Sequence, residues 1–284
     1  MTIIDAGLIL EGGGMRGVYT AGVLDYFIDQ GIYFNRIYAV SAGACHACSY
    51  ISRQRGRAFR VNVNYLKDKR YCGLDSLIRT GDLFGAEMLY DIIPNQLDLY
   101  DYDAFAEYPG VCYAVVTNCR TGQAEYIPLR DMRKNILAVR ASSSLPMVSR
   151  MVPIGGGEYL DGGIADSIPL ARSIADGNKK NVLILTRAPG YRKKPNSLMP
   201  LIRAKYRKYP RLVEAMKNRH EAYNAALELI ESERRAGRAF VIQPEKAPEI
   251  GRVEKDRAKL KALYDEGYRE AAAGFDDMTD FLGI

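Results

Sequence analysis

Residues 36–50, RIYAVSAGACHACSY, change character at a single position. Ile37-Tyr38-Ala39-Val40 is an apolar run of the kind that forms a buried strand. Ser41 ends it, Ala42-Gly43-Ala44 are small, and Ala42 to Ser52 reads as a helix. A serine between strand and helix has two readings. One is an N-cap, a common place for serine. The other is a nucleophile elbow, G-x-S-x-G, where a sharp turn exposes the hydroxyl and small flanking residues let the two backbones nearly touch. Here the elbow reads Ala39-Val40-Ser41-Ala42-Gly43, with alanine at the first glycine position and Gly43 at the second.

The same grammar appears upstream. AGLILEGGG (6–14) is a buried strand running into a glycine turn, and MRGVYTAGVLDYFIDQG (15–31) spaces Val18, Val23, Leu24, Phe27 and Ile28 near the helical period, with Gly31 as a stop. Two successive strand–turn–helix units predict a parallel sheet with helices packed on it. Downstream, residues 61–94 predict helices and loops over one end of the sheet, and residues 111–129 two strands around a Cys119–Gly122 turn. MRKNILAVRASSS (132–144) is helical and ends before Pro146, MVPIGGGEYLDGG (151–163) is strand, turn and short strand, and NVLILTR (181–187) is another buried parallel strand. From Pro200 the chain is mostly helical, with Pro210 opening a second part. RAFVIQP (238–244) returns to the sheet, and RVEKDRAKLKALYDEGYREAAAG (252–274) carries a helical stripe at Val253, Leu260, Leu263, Tyr264, Gly267 and Ala271. The expected division is an α/β domain over 1–190 and a mostly helical C-terminal region over 191–284 packed on the same domain.

The 284 residues are 48% hydrophobic and 26% charged, which excludes a disordered chain. No apolar run approaches the length of a membrane span, and the first residues lack the charged and apolar regions of a secretion signal. Five cysteines without regular spacing argue for a reducing compartment, so a cytoplasmic location is expected.

Three stretches carry chemistry. EGGGMRG (11–17) places glycines between a strand and a helix, where backbone N–H groups are unpaired and attract anions. It matches G-x-G-x-x-G, but a dinucleotide site needs an acid about 20 residues on, and the second strand ends in Ser41 instead. A tight turn without a ligand is the alternative to an anion site here. Only two histidines could serve Ser41 as base. His46 lies five residues along the same helix, about 500° around it, and His220 lies in the basic helix, so a Ser-His-Asp triad is disfavoured. A carboxylate remains: Asp161 in GEYLDGG ends a short strand before two glycines, a placement also typical of an ordinary Asp-Gly turn.

Taken together and in order, GGGMRG, AVSAGA, ASSSLP (141–146) and DGG with Pro169 beyond it resemble the patatin-like phospholipases over roughly residues 6–190. The resemblance implies a three-layer α/β/α fold with a mostly parallel sheet, a Ser-Asp dyad, an oxyanion hole built by the glycine loop, and hydrolysis of acyl esters in lipids without metal or organic cofactor. It assigns Ser41 as nucleophile and Asp161 as base, with the N–H groups of Gly12, Gly13 and Gly14 as oxyanion donors, supported by Arg16 and Gly43. Ala39 and Glu11 depart from the family pattern, where glycine and often aspartate stand. Phospholipids or lysophospholipids are the expected substrates. Soluble acyl esters or thioesters, or non-catalytic binding of an anion at the glycine loop, are the alternatives.

Two features stand apart. Cys45-His46-Ala47-Cys48 is a C-x-x-C that reads more simply as small residues packing a helix than as a redox or zinc site. Residues 191–219 hold ten Lys/Arg and one acid, so this segment carries +9 and the rest of the chain 6 − 9 = −3. It reads as a solvated surface or, with Leu198, Leu201 and several tyrosines interleaved, as a peripheral contact with an anionic membrane surface. No nucleic-acid motif accompanies it, and no nucleic-acid partner is expected.

Overall fold

The computed structural model describes residues 2–284. β1 (Thr2–Leu10), buried without interruption from Ala6, runs through the glycines and a 3-10 turn (Gly14–Gly17) into α1 (Val18–Asp29). β2 (Ile32–Val40) starts earlier than the sequence pattern marks. Ile32, Tyr33 and Phe34 pair with Thr2, Ile3 and Ile4 ahead of a bulge that shifts the register before Gly7. There follow α2 (Ala42–Ile51), α3 (Arg57–Val63), α4 (Leu74–Thr80), a π-helix (Met88–Leu97) and α5 (Tyr102–Ala106). Next come β3 (Val111–Asn118), β4 (Ala124–Leu129), α6 (Met132–Ser142), β5 (Val152–Ile154), β6 (Gly157–Asp161), α7 (Leu170–Ala175) and β7 (Asn181–Ile184). The chain closes with α8 (Met199–Lys205), α9 (Pro210–Arg235), β8 (Ala239–Ile242), α10 (Arg257–Ala273) and α11 (Phe275–Leu282).

β8, β7, β1, β2 and β3 form a continuous parallel run, while β4 and β6 pair with β3 in the antiparallel sense and β5 pairs with β6. Side-chain alternation separates two cores. Leu8 and Leu10 of β1 join Val23 of α1, Ala47 of α2 and Leu263 of α10 on one face, whereas Ile9 joins Leu170 of α7 and Tyr223 and Ile230 of α9 on the other. This is the expected three-layer α/β/α arrangement with a mostly parallel sheet. α10 lies along α1, fixed by Tyr264 donating to Asp25 (2.6 Å).

The C-terminal helical stripe begins later than its pattern suggests. Asp256 caps α10 by accepting from the N–H groups of Ala258 and Lys259, so Arg252 and Val253 lie outside the helix. Freed from helical bonding, the Arg252 carbonyl accepts the Met15 N–H (3.0 Å) behind the glycine loop. Among the described residues no helix is long and apolar enough to cross a membrane.

Candidate active site

Strand register brings Ser41 and Asp161 together. β2 ends at Val40, opposite Val115 of β3, and β6 ends at Asp161, opposite the next residue, Val116. Because β4 occupies the other edge of β3 through this region, β2 and β6 meet end to end along one edge. The residue leaving β2 therefore faces the residue leaving β6.

Ser41 adopts φ 56°, ψ −122°, a conformation disfavoured for any residue with a Cβ. It makes no side-chain cap bond to α2, so the simple N-cap reading fails. Close backbone approach forces the neighbouring glycines. A Cβ on Gly43 would lie 2.8 Å from the Leu10 carbonyl oxygen, and one on Gly12 would lie 2.8 Å from the Ser41 Cβ. Ala39, where the elbow pattern has glycine, is fully buried within β2. The ASSSLP segment grips both site residues: Ser142 Oγ accepts the Ser41 N–H (2.8 Å), and the Ser144 carbonyl accepts the Asp161 N–H (2.8 Å).

Asp161 is 3% exposed. Its Oδ1 accepts from the Gly163 N–H (2.7 Å), while Oδ2 is buried with no hydrogen-bond partner. Burial raises its pKa above the ordinary carboxylate range, opposed by the Arg219 charge and the Ser41 hydroxyl. Both Ser41 and Asp161 border the same cavity, and the unpartnered Oδ2 is free to accept from a proton donor.

Glu11 anchors the glycine loop. Its Oε2 accepts from Thr186 N–H (2.7 Å) and hydroxyl (3.1 Å), and its Oε1 accepts from the Tyr223 hydroxyl (2.7 Å). Among the described residues no backbone carbonyl accepts from the N–H groups of Gly12, Gly13 or Gly14. Arg16 is buried with its Nε unpartnered, and burial together with Arg187 lowers its pKa to about 10.

Ser41 and Gly14 border two cavities. One, of about 140 Å³, is mainly apolar and includes Met15, Val61, Phe84, Leu89, Ile136 and Val139. The π-helix contributes Leu89, Tyr90 and Pro94 to it; such irregular turns often occur at functional sites. The other cavity, of about 90 Å³, holds Glu11, Asp161 and a group of cations. Two of these, Lys193 and Arg219, come from the basic segment and turn inward. Arg16 comes from the glycine loop, and Arg187 and Arg252 carried no sequence signal.

The remaining candidates separate from this centre. His46 borders the apolar cavity, but its Nε2 packs near Gly17 without a hydrogen bond, and burial lowers its pKa to about 4. His220 borders neither cavity and meets the Lys217 carbonyl at 3.1 Å. Cys45 and Cys48 are free thiols, with Cys48 donating to the Ala44 carbonyl (3.2 Å) and Cys45 beside Ser143 (3.3 Å). Burial raises both thiol pKa values, and so leaves them in the unreactive form.

A family model described as patatin-like phospholipase matches residues 8–173, more than half of the chain, and one described as a domain of unknown function (DUF6363) matches residues 209–283. The chain is 34% identical over 184 residues to the uncharacterized protein YjjU of Escherichia coli, covering 63% of this chain and 51% of that one. It is 24% identical over 193 residues to the probable lipid hydrolase 463L of Invertebrate iridescent virus 6, covering 61% and 65%. The matches thus span about half of the first relative and just under two thirds of the second. Among solved structures, VipD from Legionella pneumophila shares the fold at a TM-score of 0.51 and 12% identity, covering 96% of this chain and 67% of that one.

Proposed function

The chain belongs to the patatin-like phospholipase family, and we propose that it is a serine acyl hydrolase cleaving acyl esters of phospholipids or lysophospholipids through a Ser41–Asp161 dyad. The observation that carries this reading is the strained Ser41 beside a buried carboxylate whose Oδ2 lacks a partner. Ser41 Oγ attacks the acyl carbonyl as its proton passes to Asp161. The raised pKa of Asp161 suits it to that transfer. The developing oxyanion accepts from N–H groups of Gly12, Gly13 and Gly14, each worth roughly 3–4 kcal/mol in such sites. Ala42, first residue of α2, offers an N–H with no helical partner as a further donor. The tetrahedral adduct collapses, the alcohol leaves with the proton from Asp161, and a water then attacks the acyl-enzyme by the same route to release the acid.

The apolar cavity at Ser41 favours a lipid acyl chain over a soluble acyl compound. The strain at Ser41 favours a nucleophile over a passive anion binder. Residues 191–219 are read as a peripheral contact with an anionic membrane surface: Leu198 (50% exposed) and Leu201 (57%) stand beside exposed Arg192, Lys194 and Arg203. Region 191–284 acts with domain 1–190 as one unit, since it supplies both Tyr223 to Glu11 and Arg252 to the glycine loop.

The decisive experiment is fluorophosphonate labelling with ester kinetics. Wild type labels and Ser41→Ala does not; Asp161→Asn loses about 10³-fold or more in kcat, while His46→Ala and His220→Ala keep most activity. A histidine variant that folds yet is as inactive as Asp161→Asn would overturn the dyad. Liposome sedimentation tests the membrane contact, and equal binding to neutral and anionic vesicles would remove it.

A further inference from the structure

The cationic cavity is the least self-sufficient part of the molecule. Arg16, Arg187, Lys193, Arg219 and Arg252 line it against two carboxylates, Glu11 and Asp161. Glu11 already accepts from Thr186 and Tyr223, and Asp161 Oδ1 from Gly163. None of the five cations makes an ion pair among the described residues. The Nε atoms of Arg16 and Arg219 are buried without hydrogen-bond partners. Burial, then the neighbouring Arg219, brings the Lys193 pKa down to about 7. Like charges crowded and partly desolvated in this way are unfavourable unless an anion joins them.

The cations are also positioned. Lys193 Nζ lies 4.2 Å from the Tyr223 ring centre, and the Arg187 guanidinium 4.4 Å from that of Tyr191. Asn224 of α9 bonds both the N–H and the carbonyl of Lys193 (2.9 and 3.1 Å), so the loop cannot swing its charge freely into solvent. Planar guanidinium forks beside an ammonium form a donor set suited to phosphate oxygens.

We propose that this cavity is a phosphate subsite, holding the anionic group on the alcohol side of the ester that Ser41 cleaves. The proposal rests on the hydrolase reading for its orientation. Ser41 borders both cavities; with the acyl chain in the apolar one, the leaving alcohol and its phosphate face the cations. The substrate class is then an acyl glycerol phosphate or its diesters.

The test compares two esters differing only in phosphate, 1-acylglycerol 3-phosphate and 1-acylglycerol, with wild type and Lys193→Met/Arg187→Met. Wild type prefers the phosphorylated ester, and in the double variant the ratio of the two kcat/KM values falls at least about tenfold, as expected for lost charge-assisted bonds. Separately, calorimetry on Ser41→Ala measures binding of glycerol 3-phosphate and of inorganic phosphate. Binding that the double substitution abolishes, with no hydrolysis of any ester, leaves the subsite standing and removes the hydrolase reading. Inorganic phosphate binding with an unchanged ester ratio overturns the head-group assignment in favour of a free anion. An unchanged ratio with no binding of either probe overturns the proposal. Thermal unfolding guards against misfolding: phosphate raises the wild-type Tm and leaves that of the double variant unmoved.

Discussion

The two cavities that meet at Ser41 are built by opposite means. The apolar one is walled by Met15, Val61, Phe84, Leu89, Ile136 and Val139, from the glycine-loop turn, α3, α6, the π-helix and the connection before it. Its attraction for a chain is proportional to area and has no direction. The polar one is walled by side chains whose placement depends on aromatic faces and on hydrogen bonds made by Asn224, Thr186 and Tyr223. Its attraction is directional and falls sharply when one donor moves. A substrate lying across their boundary at Ser41 would be selected for chain length on one side and for orientation on the other.

That contrast can be broken from either side. The largest effect is expected from filling the apolar cavity. Ile136→Trp should lower kcat/KM for long-chain esters about 100-fold while sparing short-chain ones, measured on a chain-length series; a uniform loss would mean the acyl group lies elsewhere. Next comes Ser142→Ala, which leaves the buried Ser41 N–H without its acceptor. A cost of about 1–3 kcal/mol for such a donor predicts a loss of about tenfold or more in kcat, equal for charged and neutral esters because the elbow serves both cavities. A substrate-dependent loss would place Ser142 in one wall instead.

The smallest effect is in the pH profile. Asp161 must be ionised to accept a proton, so kcat/KM for a neutral ester rises with pH through a limb lying above the ordinary carboxylate range. Lys193 faces Arg187, Tyr191, Arg219, Tyr223, Arg252 and Glu11, and it loses its charge as pH rises through about 7. For a phosphorylated ester kcat/KM should then fall a few-fold above that pH. The alkaline fall should be missing with the neutral ester and in Lys193→Met; its persistence in either would assign it to another group.

The sheet and the two residues proposed as a dyad, Ser41 and Asp161, were legible in sequence because their signals are local. A glycine loop, a small-residue elbow and a strand ending in DGG each announce a backbone event within a few residues. The Ala39 departure mattered little, since the tight contacts fall at Gly12 and Gly43. Illegible were the contacts joining distant segments: Tyr223 to Glu11, Arg252 to Met15, Ser142 to Ser41. Composition located a basic segment but could not say that Lys193 and Arg219 turn in while Arg192 and Lys194 stay out, because both fates suit a polar helix or loop. Apolar wall residues were equally hidden, since a cavity lining and a packed core have the same pattern. Arg252 was misread as helical because Val253 continued an apolar stripe that Asp256 in fact opens.

The bond from Met15 N–H to the Arg252 carbonyl also has a meaning in time. A chain emerging from the ribosome holds Ser41, Asp161 and seven of the eight strands by residue 190. The carbonyl that pins the turn behind the glycine loop is then still untranslated. Translation order therefore leaves the turn between the glycine loop and α1 without this contact until the segment around Arg252 has been made and has docked.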